Sequence, residues 1–340
     1  MNLFMGPTLE ILFLMRKSQK SSKNLKALCL VTGGAGFIGS HLVDGLLAKG
    51  YRLRVLDNLS TGKKLNLESA WNRIEWIEGD LRNESQVRRA VKGVDYVFHA
   101  AANRAVLRSV DNPLETNEVN VKGTLLVLLA ARDFGVKRVI FSSSSSIYGN
   151  TKKFPSSEDD CPSPQSPYAA TKLAGEHYCR IFSSLYGLET VSLRYFNVFG
   201  PRQHPESRYA AVIPIFIDCL MKGKRPEVHW DGKQSRDFSY VDNVTHASLL
   251  ALQVPAVSGE VFNIACHEEF SILEVLRLLR KIMGVKNGKP LFRPKRLGDV
   301  CRTFADIRKA KKGLGYRVQT PFEEGLRRTV SWFLGSQKKC

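Results

Sequence analysis

Leu28–Val43, LCLVTGGAGFIGSHLV, is a short apolar run that breaks into glycines and resumes as an amphipathic pattern. The run ending at Thr32 suits a buried parallel strand, and Phe37, Ile38, Leu42 and Val43 then recur at helical spacing. Between them Gly33, Gly36 and Gly39 fit G-x-x-G-x-x-G. The first glycine turns the chain tightly and the second lets the backbone approach a pyrophosphate. The third lets helix and strand pack closely, with free helix N–H groups facing the anion. Strand, turn and helix in one piece predict a dinucleotide-binding unit.

Working outward, the alternation continues. A second strand, Leu53–Leu56, ends at Asp57-Asn58, which places a carboxylate 24 residues after Gly33, where a strand-end acid accepts both hydroxyls of an adenosine ribose. That favours NAD over NADP, since a 2′-phosphate would meet the charge of Asp57, although Arg52 and Lys63 stand nearby. A third strand, Ile74–Glu78, leads to Gly79-Asp80-Leu81. There Asp80 suits the adenine amino group or, alternatively, a helix N-cap, and Leu81 suits the face of the ring. The fourth strand, Val94–Phe98, runs into His99-Ala100-Ala101-Ala102, small residues that leave room for a ligand. A long helix is expected over Leu114–Phe134, carrying Asn117, Asn120 and Val121, and a fifth strand over Lys137–Phe141. Such alternation predicts an α/β fold, a doubly wound parallel sheet of Rossmann type with its site at the strands' C-terminal ends.

The fifth strand opens into Ser142–Ser146, a row of hydroxyls read as lining the site. Beyond a Pro/Ser/Asp-rich loop, Ser166-Pro-Tyr168-Ala-Ala-Thr-Lys172 heads an amphipathic helix. Tyr168 and Lys172 are four apart and project from one face. A tyrosine of ordinary pKa about 10 is a poor base at neutral pH, and a neighbouring ammonium group together with an oxidised nicotinamide is expected to lower it.

Composition sets the bounds. At 340 residues, with 43% hydrophobic and 24% charged, the chain suits one large α/β domain or two domains, not disorder. No apolar run is long enough to span a bilayer. Seven scattered cysteines without a C-x-x-C pair suit a reduced, cytoplasmic setting and suggest no metal site. Residues 1–24 read as a mobile extension; their basic residues follow the apolar stretch, unlike a secretory signal, and a weak membrane-surface or partner contact is the alternative. The formal charge of +19 is concentrated near the C-terminus, where residues 272–340 hold 18 Lys+Arg against 5 Asp+Glu. The cations are spread through amphipathic segments, which argues against a nucleic-acid arm. A solvated basic face or attraction of a doubly charged phosphate substrate remain as readings.

In this order, TGGAGFIGSHL, Asp57-Asn58, Gly79-Asp80-Leu81, His99–Ala102, SSSSSIYG, Tyr168-x-x-x-Lys172, Arg194-Tyr-Phe-Asn-Val-Phe-Gly-Pro-Arg202 and Ser235-Arg-Asp-Phe-Ser-Tyr-Val-Asp-Asn243 resemble the extended short-chain dehydrogenase/reductase family, specifically its nucleotide-sugar epimerases. The resemblance runs from about residue 26 to 335. It implies residues 25–195 as an NAD-binding domain and 196–335 mainly as a smaller C-terminal α/β substrate domain, with about 235–265 returning to the first. Tyr168 would be the base, Lys172 would hold the nicotinamide ribose and tune Tyr168, and Ser144 would share the substrate hydroxyl, with Ser145 and Ser146 close by. The run of five leaves that register open. Arg104, Asn120 and Tyr195 would lie at the cofactor. Asn197 would bind sugar or phosphate, Arg236 and Arg296 would clamp the diphosphate, Asp299 would take the nucleotide ribose, and Glu227–His229 would lie near the uracil. The helices Leu114–Phe134 and Tyr168–Tyr186 are those the family pairs in a homodimer.

The implied reaction is NAD-dependent C4 epimerisation of a UDP-sugar through a 4-keto intermediate. Sugar 4,6-dehydratases carry an acidic pair after the serine strand, where this chain reads Ser145-Ser146-Ile147, so dehydration is disfavoured. In Gly298-Asp-Val-Cys-Arg-Thr303-Phe-Ala-Asp306, Thr303 matches the family's gate position, where a small residue admits a 2-acetamido group. Tyr209-Ala-Ala-Val212-Ile213 also resembles the branch acting on UDP-N-acetylglucosamine. The expectation is UDP-GlcNAc/UDP-GalNAc interconversion with UDP-Glc/UDP-Gal as a slower activity. A UDP-glucuronate 4-epimerase or decarboxylase, and a non-catalytic NAD- or nucleic-acid-binding scaffold, are the alternatives.

Overall fold

Apolar β-branched runs punctuated by glycine turns give the first half of the chain its strands. The computed structural model describes residues 26–104, 106–205, 211–286, 288–295 and 300–337. The expected extension over residues 1–24, Tyr209, Arg296 and Asp299 lie outside the described residues. The order begins β1 (Leu28–Thr32), α1 (Phe37–Ala48), β2 (Arg52–Asp57), β3 (Ile74–Glu78), α2 (Glu84–Val91) and β4 (Tyr96–His99). It continues with α3 (Val106–Asp111), α4 (Pro113–Asn117), α5 (Gly123–Asp133), β5 (Arg138–Ser144), α6 (Pro167–Tyr186) and β6 (Glu189–Tyr195).

The remainder holds β7 (Val198–Phe199), α7 (Val212–Met221), β8 (Glu227–His229), β9 (Ser235–Asp237), β10 (Ser239–Tyr240) and α8 (Val241–Gln253). After these come β11 (Glu260–Ile264), β12 (Glu269–Ser271), α9 (Ile272–Met283), β13 (Leu291–Arg293), β14 (Arg302–Thr303), α10 (Arg308–Leu314) and α11 (Phe322–Gln337). Seven strands form one parallel sheet in the order β11-β6-β5-β4-β1-β2-β3, the expected Rossmann-type sheet. Its order reverses between β1 and β4, which opens a crevice at their C-terminal ends.

Two buried clusters cover the sheet's faces. One takes Leu42, Val43 and Leu46 of α1 with Val244, Ala247 and Ala251 of α8. The other takes Val87 and Ala90 of α2, Val127 and Leu128 of α5, and Cys179 and Phe182 of α6. A third cluster, with Ile213, Phe216, Leu276, Leu279, Phe322 and Leu326, builds a smaller α/β unit from α7, α9 and α11. Short strands surround it: β12-β9-β14, β13-β8 and β10-β7.

The single helix expected over Leu114–Phe134 is in fact three pieces. The chain passes from α4 through a π-helical stretch, Glu118–Lys122, into α5. The wider turn carries Asn120, which is buried and bonds outside the helix, and such interruptions concentrate at functional sites. The fifth strand also runs further than periodicity suggests. Ser142–Ser144 belong to β5 because they pair in register with Leu193–Tyr195 of β6.

Candidate active site

The glycine turn is fixed by close backbone approach. Gly33 has φ +70, and a Cβ there would stand 2.7 Å from the Ala101 Cα at the end of β4. At Gly39 a Cβ would lie 2.0 Å from the Gly33 carbonyl oxygen. Gly36 caps α1 with no side-chain hydrogen bond, which leaves the first turn of that helix, Phe37-Ile38-Gly39, without a capping side chain. A bare helix N-terminus at a sheet's switch point fits a dinucleotide pyrophosphate.

Asp57, at the end of β2, accepts hydrogen bonds from the Ala35 and Leu59 amides at 2.9 and 2.8 Å. Burial raises its pKa against the pull of those two amides. Its carboxylate therefore braces the glycine turn, a role the sequence reading did not foresee. Asn58 donates to Asp80 at 2.9 Å, and Arg82 grips Asp80 through two nitrogens. That guanidinium holds the Asp80 carboxyl well below the usual range. The cap of α2 is Asn83, whose side chain accepts from the Gln86 amide, so Asp80 is not the N-cap. Leu81 packs in the core.

His99 was read only as the start of a small-residue run, and the structure gives it a specific task. Thr124 donates its hydroxyl to the Asn120 carbonyl at 2.6 Å, so it accepts from His99 Nε2 at 2.9 Å. His99 Nδ1 therefore accepts from Thr32 at 2.7 Å. Burial, then the charge of Lys172, lowers the imidazole pKa to about 3. The Asn120 side chain accepts from the Asn103 amide at 2.7 Å and donates to Thr171 at 3.0 Å. This chain of bonds ties β1, the loop Ala100-Ala101-Ala102-Asn103 and α6 together. The Asn103 side-chain nitrogen and the Ser146 hydroxyl are buried here without a hydrogen-bond partner. Orphaned polar atoms beside the crevice are what a polar ligand would satisfy.

Ser166 caps α6 and Pro167 occupies its first turn, which starts the helix immediately before Tyr168. The Tyr168 hydroxyl is hydrogen-bonded to Ser144, the third serine of the run. Ser144 also accepts from the Ser146 amide at 3.2 Å, and Ser145 begins the following turn. Lys172 donates to the Ser142 carbonyl at 2.8 Å, and burial brings its pKa down to about 8. At Tyr168 burial opposes the expected lowering. Desolvation pushes its phenol up, against the Ser144 hydrogen bond and the charge of Arg104. Arg104 thus acts on Tyr168, and the Tyr195 hydroxyl is committed to Ser248 at 3.0 Å.

In the C-terminal half of the chain, distant segments converge. Asn197, at φ +37, donates to the Asp237 carbonyl at 2.9 Å and to the Thr303 hydroxyl at 2.8 Å. β14 lies parallel to β9 with Thr303 opposite Arg236, whose guanidinium bonds the Ser235 carbonyl. Asp237, given no role in the sequence reading, is fully buried and accepts from the Cys266, His267 and Ala305 amides. Val212 opens α7 beside the third core. Glu227 is paired with Arg293 at 2.6 Å, while His229 donates Nδ1 to the Pro294 carbonyl and keeps a buried, unpartnered Nε2. Among the described residues no acidic, histidine and cysteine group is arranged to hold a metal, and no helix is long and apolar enough to cross a membrane.

Fold and site together define a Rossmann-type enzyme with a serine, tyrosine and lysine beside a dinucleotide crevice. Residues 29–265 match the model of the NAD dependent epimerase/dehydratase family, and the chain belongs to that family. The UDP-glucose 4-epimerase of Mycolicibacterium smegmatis is 40% identical over 308 residues, 89% of this chain and 97% of that protein. Among solved structures, the UDP-N-acetylglucosamine 4-epimerase of Methanobrevibacter ruminantium, in complex with UDP-N-acetylmuramic acid, superposes with a TM-score of 0.87 at 38% identity, covering 92% of this chain and 99% of that one. The UDP-glucose 4-epimerase of Thermotoga maritima, with UDP-glucose, gives 0.87 at 39%, covering 91% and 99%.

Proposed function

We propose that this enzyme interconverts the C4 epimers of a UDP-hexose with tightly held NAD, and that UDP-GlcNAc/UDP-GalNAc is its preferred pair. The carrying observation is the Ser144–Tyr168 hydroxyl pair with Lys172 one turn along the same helix. NAD would rest on the turn Gly33–Gly39, with Asp57 at the adenosine ribose, Asn58, Asp80 and Leu81 toward the adenine, and Lys172 at the nicotinamide ribose. Bound there, it supplies a hydride acceptor for C4 that later gives the hydride back. Tyr168 takes the proton of the 4-hydroxyl, with Ser144 hydrogen-bonded to the same oxygen, and returns the proton to that oxygen when the hydride comes back to the opposite face of C4. Lys172 and Arg104 supply the positive charge that stabilises the Tyr168 phenolate against burial. Arg236, with Arg296, would anchor the diphosphate so that the hexose can turn over while its nucleotide stays fixed.

The preference for the acetamido sugars rests on Thr303, a small residue beside Asn197. Residues 25–195 would then serve the cofactor and 196–335 mainly the substrate, with about 235–265 shared. Leu114 and Leu185, 80% and 71% exposed on α4 and α6, support a homodimer through those helices, and the scattered cysteines suit the cytoplasm. The test is incubation of the purified protein with a panel of UDP-sugars, without added NAD, followed by NMR. C4 epimers of the acetamido pair should form fastest, from protein that sediments as a dimer. Exclusive turnover of UDP-Glc/UDP-Gal or of UDP-glucuronate would overturn the substrate assignment.

A further inference from the structure

The helix face that carries Tyr168 and Lys172 continues to a third residue. Tyr168, Lys172 and Glu176 stand one turn apart on α6, and each attaches to a different serine at the end of β5. Tyr168 bonds the Ser144 hydroxyl, Lys172 bonds the Ser142 carbonyl, and the Ser143 hydroxyl donates to Glu176 Oε1. Three consecutive serines are thereby stapled to three consecutive turns. Glu176 is also gripped by Arg194 of β6, through Nε at 2.9 Å and Nη2 at 2.8 Å. Both side chains of this pair are about 95% buried, at 5% and 4% exposure. The remaining Arg194 Nη1 donates to Tyr148 at 2.7 Å, and Tyr148 donates to Asn263 of β11 at 2.7 Å.

A buried ion pair is a poor device for stability alone, because apolar residues of similar shape serve as well or better. What an apolar pair cannot supply here is an acceptor for Ser143, next to the Ser144 that meets Tyr168, and a negative charge one turn from Lys172. We propose that Glu176, together with Ser143, is a positioning residue for the reaction: it sets the register of the serine strand against the helix face and supports the positive charge of Lys172. The inference rests on reading Ser144, Tyr168 and Lys172 as the reacting set. Glu176 itself touches no reacting atom.

Lys172 faces Glu176 and Cys179 on its own helix and His99 of β4. Arg194 faces Glu176, Tyr148 and the Glu158 segment, whose carbonyl it reaches at 3.4 Å. Burial pushes the Cys179 thiol up to about 12, raises the Tyr148 phenol and holds His99 neutral, so none of these three changes charge near neutral pH. Glu176 raises the Lys172 pKa. Its neutralisation therefore lets Lys172 lose its proton at lower pH.

The experiment compares Ser143→Ala, Glu176→Gln and, as control, Tyr168→Phe with the wild type. Each is purified with NAD bound and assayed for kcat, KM and Tm on a UDP-sugar that the wild type turns over, from about pH 6 to about pH 10. Ser143→Ala is expected to lower kcat about tenfold with KM within about twofold, since misplacement of a reacting group costs rate more than binding. Glu176→Gln is expected to do the same and to move the alkaline limb of kcat to lower pH. If Glu176→Gln fails to fold because Arg194 is left without its counter-charge, the double variant with Arg194→Met replaces it, with the same direction of shift expected. Wild-type kcat and an unmoved limb in both variants, with only Tm lowered, would show a purely structural role and overturn the proposal. Wild-type turnover by Tyr168→Phe would instead overturn the underlying assignment of the base.

Discussion

The turn after β1 and the strand β14 are held by different kinds of contact. At the turn, backbone meets backbone: Gly33 lies against Ala101, Gly39 lies against Gly33, and the Gly36 amide donates to the Gly33 carbonyl at 3.0 Å. At β14, a strand of two residues is held by pairing with β9 and by side chains, with Asn197 on Thr303 and Asp237 on the Ala305 amide. Backbone contact leaves no volume to adjust, whereas a side-chain contact can be exchanged for another. The first arrangement suits a cofactor that must stay bound through both half-reactions. The second suits a surface on which related enzymes can differ in substrate.

The contrast breaks most visibly at Gly39. Replacement by Ala puts a methyl group 2.0 Å from the Gly33 carbonyl oxygen, which neither β1 nor α1 can yield without losing the turn. Gly39→Ala is expected to cost about 3 kcal/mol or more and to abolish NAD retention. Thermal unfolding together with the NAD content of the purified variant measures both. A variant that keeps its NAD and its Tm would mean that the turn is far softer than its geometry.

The same contrast explains what was legible in the sequence. The turn is contiguous, so its glycines and the strand and helix around it could be read directly, and the places of Asp57 at a strand end and of Tyr168 and Lys172 on one helix followed from spacing. The register of Ser142–Ser146 was not legible, because five identical residues carry no phase; in the structure it follows from the pairing of Ser144 with Tyr195 across β5 and β6 and from the hydrogen bond between Ser144 and Tyr168. Nor was the meeting of Asn197, Asp237 and Thr303, which are up to 106 residues apart and joined by no shared period. His99 and Glu176 escaped for another reason: their partners are side chains on other elements, Thr32, Thr124, Ser143 and Arg194. Desolvation at Tyr168 was not legible either, because helix spacing conveys a neighbouring side chain and not the burial around it.

An intermediate effect is expected at Thr303. Thr303→Tyr fills the space beside Asn197 and should lower kcat/KM for UDP-GlcNAc relative to UDP-Glc by about tenfold or more, in the range that pocket shape can supply. Thr303→Val keeps the volume and removes the oxygen that accepts from Asn197 at 2.8 Å. It should weaken turnover of both sugars together and leave their ratio unchanged. Measured kcat/KM values for the two sugars decide the matter. A changed ratio in Thr303→Val would assign selectivity to the orientation of Asn197, while equal losses for both sugars in Thr303→Tyr would remove Thr303 as the gate.

The smallest effect concerns how firmly the small strands are held as pH changes. Burial lifts the Asp237 pKa from 3.8 to about 7, against the Cys266, Ala305 and His267 amides that favour its charged form. Between those two values the folded protein holds a proton at Asp237 that the unfolded chain has released. Stability is thus fully supported below the unfolded value and declines as pH rises toward the folded one, the reverse of an ion-paired carboxylate. Asp237→Asn removes that titration and, because an amide presents only one acceptor oxygen, also loosens the three backbone contacts. The variant should therefore unfold at a lower temperature throughout, but with a flatter dependence on pH between about 4 and about 7, a difference of a few degrees across the window. Tm measured side by side on wild type and variant isolates the contribution of Asp237, since every other titrating group is common to both. Parallel Tm curves would mean that the carboxylate stays charged in the fold, and that its backbone donors, not its burial, set its state.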